Sequence, residues 1–248
     1  MRDTDAARVY GNVVDIDSNA VQSFWDSKAE KDASLKAVLL GTDLAENSGV
    51  LRNERENRIL HDFIGERDVT VLDIGCGIGR WAHNLQSQIQ VYHGIDFSEK
   101  FIQAAKKSFK NMPQCAFFQM SATEIDASVL LPRYDLVIVT GVAMYINDDV
   151  INRLFHSINR LTDASSSIYF QESVSMLTTR LTLKDFDSVE LKSKYNAIYR
   201  TSSEYEVYFA QYLPEYSFSS DRIGLLLDKD TGAREETNAK YWFLNQEK

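Results

Sequence analysis

Cysteine is nearly absent: positions 76 and 115 are the only two in 248 residues. That usage excludes a disulfide framework and fits a reducing compartment. Long apolar runs are missing too, since none reaches the ~18 residues that a membrane span needs. The opening Met1-Arg2-Asp3-Thr4-Asp5 has no apolar signal region, so a cytoplasmic chain without membrane insertion is expected. Basic charge is in deficit, with 27 Lys and Arg against 36 Asp and Glu, a formal net charge of −9. Nucleic-acid binding needs a basic footprint, so none is expected as a general property. No internal repeat or low-complexity tract is present, and the length suits one substantial core with an appended cap.

Chemistry is concentrated in Val71-Leu72-Asp73-Ile74-Gly75-Cys76-Gly77-Ile78-Gly79-Arg80-Trp81. Strand-forming residues run into three alternate glycines, and a helical pattern follows with Trp81, Ala82, Leu85 and Ile89 on one side. The glycines permit a sharp turn and close approach of a ligand to the main chain, and the helix start favours negative charge. The dinucleotide fingerprint would need its third glycine where Arg80 stands, so a pyrophosphate cradle is disfavoured. A second strand, 91–95, ends at Asp96, followed by Phe97 and Ser98. A carboxylate at such an edge, roughly 20 residues past the turn, is placed to accept both hydroxyls of a ribose. The alternative is that Asp96 or Ser98 caps the next helix.

The run from Asp73 to Gly79, with Asp96 and Phe97 behind it, resembles the class I S-adenosylmethionine-dependent methyltransferases of the small-molecule type. The resemblance implies an α/β, Rossmann-like doubly wound sheet of seven strands, order 3-2-1-4-5-7-6, strand 7 antiparallel, with helices on both faces and an N-terminal helical cap. The implied cofactor is S-adenosyl-L-methionine (product S-adenosyl-L-homocysteine), held by Asp73, Gly75, Cys76, Gly77 and Gly79. Asp96 would grip the ribose and Phe97 would lie against adenine. Where the family commonly has an Asp or Asn for the adenine amino group, this chain has Ser121 or Ala122, so a backbone N–H is expected instead. Thr140, closing the fourth strand, joins the cofactor set. Trp25 either walls the site with Phe24 or packs onto the domain. Arg52 is the first candidate for the cofactor carboxylate, its alternative being a solvated helix face.

The remaining chain supplies the crossovers of such a sheet. Residues 1–20 read as polar and mobile, with Asp17, Ser18 and Asn19 offering an N-cap. Asn47-Ser48-Gly49 reads as a turn before a helix carrying Leu51, Ile59, Leu60, Phe63 and Ile64. Helices are expected over 98–110, 148–161 and 201–213, and strands over 114–120, 133–140, 166–171, 216–228 and 240–246, with a hairpin turn at Asp228-Lys229-Asp230-Thr231-Gly232. Asp148 and Asp149 read as helix-cap acids, and no metal site is expected. Residues 1–58 form the expected cap and 59–248 the main domain, with an acceptor-binding insertion over 172–204 that lacks strong periodicity but is rich in tyrosine.

On the resemblance, the protein moves a methyl group to an O or N atom of a small molecule, a sugar, glycan or natural-product intermediate by analogy. It must hold the acceptor in line and remove a proton where the acceptor needs it. No histidine is well placed, which leaves Tyr145 and Glu172, both at C-terminal strand edges, as base or as orienting groups. A non-catalytic cofactor-binding regulator, or an RNA or protein methyltransferase, are the rival readings. A monomer or homodimer is expected.

Overall fold

The structure is a computed structural model that describes residues 7–31, 34, 48–228 and 234–246. Its centre is a seven-stranded sheet of β2 (Val69–Ile74), β3 (Ile89–Asp96), β4 (Cys115–Gln119), β5 (Leu136–Thr140), β6 (Ser167–Ser175), β9 (Ile223–Leu225) and β10 (Thr237–Asn245). The spatial order is β4-β3-β2-β5-β6-β10-β9. Counted alone, these strands run 3-2-1-4-5-7-6, as the resemblance implied. The five strands from β4 to β6 pair in parallel, while β10 is antiparallel to both its neighbours.

Local sequence explains why each element forms. The first four residues of β5, Leu136 to Val139, are buried, as expected of a central parallel strand covered on both faces. Helix α4 (Glu99–Ser108) is capped by Ser98, carries Lys106 and Lys107 in its last turn, and buries Phe101, Ile102 and Ala105. Helix α5 (Ile151–Arg160) buries Ile151, Leu154, Phe155 and Ile158 at helical spacing. Helix α6 (Ser202–Tyr212) opens with a full capping box, Thr201 receiving the Glu204 N–H while the Glu204 carboxylate receives the Thr201 N–H. Its Tyr205 and Phe209 pack on Phe170 and Trp242 from β6 and β10.

Several expectations are corrected. The helix after the glycine turn, α3, is only Arg80–Asn84, and Ile89 opens β3 instead of continuing it. The intervening backbone is diverted, since Gln88 N–H bonds back to Leu85 and its carbonyl receives Val69. Ser48 and Gly49 are not a turn but the start of α2 (Ser48–Ile64), so the expected boundary at 58 falls inside a helix. The sixth strand is three residues long, and the hairpin residues 229–232, like Asn47 and 1–6, lie outside the described residues. Asp148 caps nothing, because α5 has Val150 at its N-cap and Asp148 is drawn to arginines.

The largest difference is a second sheet. Strands β7 (Leu181–Ser188) and β8 (Ser193–Tyr199) form a hairpin, and β1 (Arg8–Tyr10) adds to β7 antiparallel, so part of the segment read as mobile is a strand. Leu181, Leu183, Tyr195, Ala197 and Tyr199 pack together with Met144. Helix α1 (Ser18–Lys31) then packs against β8 and against helix α4 through Trp25 and Phe101, with Asp17 accepting the N–H groups of Asn19 and Ala20 as expected. Among the described residues no helix is long and apolar enough to cross a membrane.

The capping box gives a direct check. Thr201→Ala removes the acceptor for the Glu204 N–H, and a loss of about 1 kcal/mol is expected. Thermal unfolding should shift down by about 2–4 °C; an unchanged midpoint would show that the cap contributes nothing.

Candidate active site

The site begins where β2 ends. Gly75 and Cys76 both donate to the Ile95 carbonyl at the edge of β3, 2.8 and 2.9 Å away, so the turn is tied to the neighbouring strand. Gly75 has a φ of +76°, and a Cβ there would come within 2.2 Å of the Val142 side chain. Only glycine fits both the backbone and the gap. Gly79 is different from its partners. Its φ is +83° and an added Cβ would meet Phe109 and Phe117, so this glycine serves helix–sheet packing and lines neither cavity described below.

Asp96 lies between the turn and the next helix. Its Oδ2 accepts the Gly77 N–H and its Oδ1 accepts the Ser98 N–H, both at 2.9 Å. Capping of α4 is done by Ser98, which leaves each Asp96 oxygen a further acceptor position. Burial pushes the Asp96 pKa up to about 6, with the two backbone hydrogen bonds pulling the other way. Asp73, one strand over, is fully buried and receives the Tyr92 hydroxyl; burial raises its pKa to about 7.

Two cavities meet at this turn. The first, about 280 Å³, is lined by Asp96, Phe97, Ser121 and Ala122 on one side and by Val21 and Ile146 on the other. The second, about 470 Å³, is lined by Asp73, Cys76, Arg52 and Arg80, and is walled by Leu183, Phe186, Tyr195 and Tyr199 of the small sheet. Trp25, Gly75, Gly77, Thr140, Gly141 and Tyr145 line both. Eleven of the twelve expected cofactor residues therefore converge on these cavities, Gly79 being the exception. Phe24, expected beside Trp25, stacks edge-on with it and with Tyr195 rather than entering either space.

The two expected bases, Glu172 and Tyr145, are placed differently. Glu172 is fully buried and lines neither cavity; its carboxylate accepts the N–H groups of Val142 and Ala143 at 2.8 and 2.7 Å, and that of Met144 at 3.4 Å. Burial raises its pKa to about 7, against those three bonds. Tyr145 does face both cavities, but burial drives its hydroxyl far above the ordinary phenol value, and it shares a 2.7 Å hydrogen bond with Tyr195. It remains a neutral phenol. No histidine lines either cavity.

Arg80 was missed. Its guanidinium pairs with the fully buried Glu56 at 2.7 Å, reaches Asn53 and Thr140, and lies 4.1 Å over the Trp81 ring. Its place directly after the last glycine was the available signal. Its partner Glu56 gives no local signal, because it stands in a helix of mixed charge that reads as solvated.

A family model described as a methyltransferase domain matches residues 71–164. A phosphoethanolamine N-methyltransferase of Zea mays is 24% identical over 171 residues, covering 68% of this chain and 33% of that protein. One from Triticum aestivum is 23% identical over 62% of this chain and 30% of its own length. The chain thus spans about a third of the curated relatives it matches. Among solved structures, a SAM-dependent methyltransferase of Leishmania major superposes with a TM-score of 0.69 at 18% identity, covering 92% of this chain and 82% of that one. A 1,6-didemethyltoxoflavin-N1-methyltransferase of Burkholderia thailandensis gives 0.68 at 13% identity, with 98% and 97% covered. These structural likenesses establish the fold.

The raised pKa values of Asp96, Asp73 and Glu172 set a pH dependence. A carboxyl whose folded pKa is raised keeps its proton in the folded chain after the unfolded chain has released it, so its contribution is lost as pH rises through the folded value. With Asp96 near 6 and Asp73 and Glu172 near 7, the ligand-free protein should melt at progressively lower temperature between pH 5 and 8. Asp73→Asn should flatten part of that slope; a midpoint that rises across the window would contradict the assignment.

Proposed function

With residues 71–164 belonging to the methyltransferase-domain family, we propose that this protein transfers a methyl group from S-adenosylmethionine to a small-molecule acceptor, most directly at nitrogen. The observation that carries the reading is the pair of adjoining cavities that share Gly75 and Tyr145, one with the Asp96 carboxylate in its wall and one walled by a separate sheet. Asp96 fits a vicinal diol because both its oxygens are oriented by backbone N–H groups and keep a free lone pair each. Phe97, Ser121 and Ala122 line the part of the first cavity suited to a planar base. Arg80 and Arg52, beside Asp73 at the far side of the turn, suit an amino-acid end bearing a carboxylate and an ammonium.

Bound S-adenosylmethionine supplies a methyl group already activated on a sulfonium. The chain's task is then to exclude water and hold the acceptor in line, which Trp25, Tyr145 and the small sheet do from three sides. Nitrogen is favoured because Glu172 is occupied by the backbone and Tyr145 is held as a phenol, so neither is free to take a proton from an alcohol. A neutral amine needs no such help before attack. The named relatives, which act on phosphoethanolamine or a toxoflavin precursor, point the same way. Residues 8–31 serve as a cap over the site, and 172–204 as the acceptor-binding segment.

Two measurements test this. Incubation with methyl-labelled S-adenosylmethionine and a low-molecular-weight cell extract should label small molecules, with label on nitrogen. Tight cofactor binding without transfer would indicate a regulator, label on oxygen would overturn the nitrogen assignment, and label in RNA or protein would overturn the acceptor class. By calorimetry, Asp96→Ala should weaken S-adenosylhomocysteine binding about 100-fold, the loss of two charge-assisted hydrogen bonds. Wild-type affinity should also fall about tenfold per unit below pH 6 as Asp96 takes up a proton, since a protonated carboxyl loses acceptor capacity. Affinity flat from pH 5 to 8 would refute the ribose assignment.

A further inference from the structure

The segment from Gly141 to Asp148 is the partition between the two cavities. Val142, Ile146 and Asn147 face the first, Met144 faces the second, and Gly141 and Tyr145 border both. Its centre is a single 3-10 turn, Ala143–Tyr145, with no side-chain cap of its own. So short a turn leaves most of its backbone groups without local partners.

Those partners are two buried, oppositely charged side chains that arrive from different sheets. Glu172 of β6 takes the N–H groups of Val142, Ala143 and Met144. Arg200, the residue after β8, has no solvent exposure. Its Nη1 donates to the Ala143 carbonyl at 2.8 Å and its Nη2 to the Ile146 carbonyl at 2.7 Å. Its Nε donates to Asp148 at 2.9 Å, and Asp148 also takes Arg180, which in turn pairs with Glu204 of the α6 capping box. A planar fork is required here, because two carbonyls and a carboxylate are engaged at fixed angles.

Such an ionic network is costly to bury and is poor evidence of stability. It does fix geometry. The carbonyls that Arg200 holds lie two residues before Tyr145 and one after it, and the same hairpin supplies Tyr195, whose hydroxyl meets that of Tyr145. Trp25 packs against the Tyr145 ring from the other side, with centroids 5.6 Å apart.

We propose that Arg200 is a positioning residue for methyl transfer, fixing the Tyr145 ring between cofactor and acceptor through the carbonyls of Ala143 and Ile146. This rests on the methyltransferase reading given above. It also means that the acceptor-covering hairpin and the partition move as one unit: displacing the hairpin withdraws Arg200 and releases the turn.

Arg200→Lys keeps the charge beside Asp148 but cannot span both carbonyls, and so avoids leaving a buried carboxylate unpaired. In this variant, amide hydrogen exchange at residues 143–146 should accelerate about tenfold while β2 and β5 stay protected, as expected of a local opening. S-adenosylhomocysteine affinity should stay within about threefold, while labelled-methyl transfer into the extract drops about 30-fold. In a Tyr145→Ala background the same change should cost less than about threefold, because residues acting through one another are not additive. Exchange that is unchanged, or faster throughout the sheet, would overturn the proposal, as would an equal loss of transfer in both backgrounds. If the wild type neither binds S-adenosylhomocysteine nor transfers label, the methyltransferase reading fails, and the exchange comparison decides the role of Arg200 by itself.

Discussion

The carboxylate of Asp96 is the fixed point of the site. One oxygen holds the Gly77 N–H and the other the Ser98 N–H, so a single side chain ties the glycine turn after β2 to the start of α4. The Ile95 carbonyl, one residue earlier, receives both Gly75 and Cys76. The turn therefore holds its shape through the edge of β3, and an acid that is expensive to bury is kept in place by backbone donors. The first cavity is framed from this point: by Gly75 with no Cβ, by the Phe97 ring, and by the small residues Ser121 and Ala122 that follow the next strand.

A second constraint shapes the opposite wall. The backbone groups of the partition at 141–148 are satisfied by Glu172 from the main sheet and by Arg200 beside the small one. A chain with a net charge of −9 thus places guanidinium groups at its centre: Arg80 on Glu56 at one side of the turn, Arg180 and Arg200 on Asp148 at the other. Charges of this kind discriminate between arrangements more than they stabilise any one of them.

How much of this was legible depended on the range of the interactions. The parallel strands, the glycine turn and the Asp96 edge were readable because each is encoded within a few residues, by apolar runs and turn residues. The helix that opens at Thr201 was readable for the same reason. The small sheet was not, since β1 pairs with β7 across more than 170 residues, Arg8 opposite Leu183, and neither segment alternates cleanly enough to announce a strand. Glu56 and Arg80 were not legible as a pair, because Glu56 stands in a helix of mixed charge and only the fold brings the glycine turn over it. Glu172 was expected at the C-terminal edge of a strand ending at Gln171, but β6 runs on to Ser175, and sequence does not show that three backbone N–H groups point at this carboxylate. Asp148 was misread in the same way, as a helix cap, when its partners lie 32 and 52 residues away.

The most direct test is a crystal structure of the full chain with S-adenosylhomocysteine. The account requires the ribose hydroxyls on the Asp96 carboxylate, the base against Phe97 and Ala122, and the homocysteine end beyond Gly75 toward Arg80, with the thioether sulfur facing the cavity under Tyr195. A nucleoside bound elsewhere, or a crevice between Asp96 and Val142 closed by side chains with no room for adenosine, would contradict it.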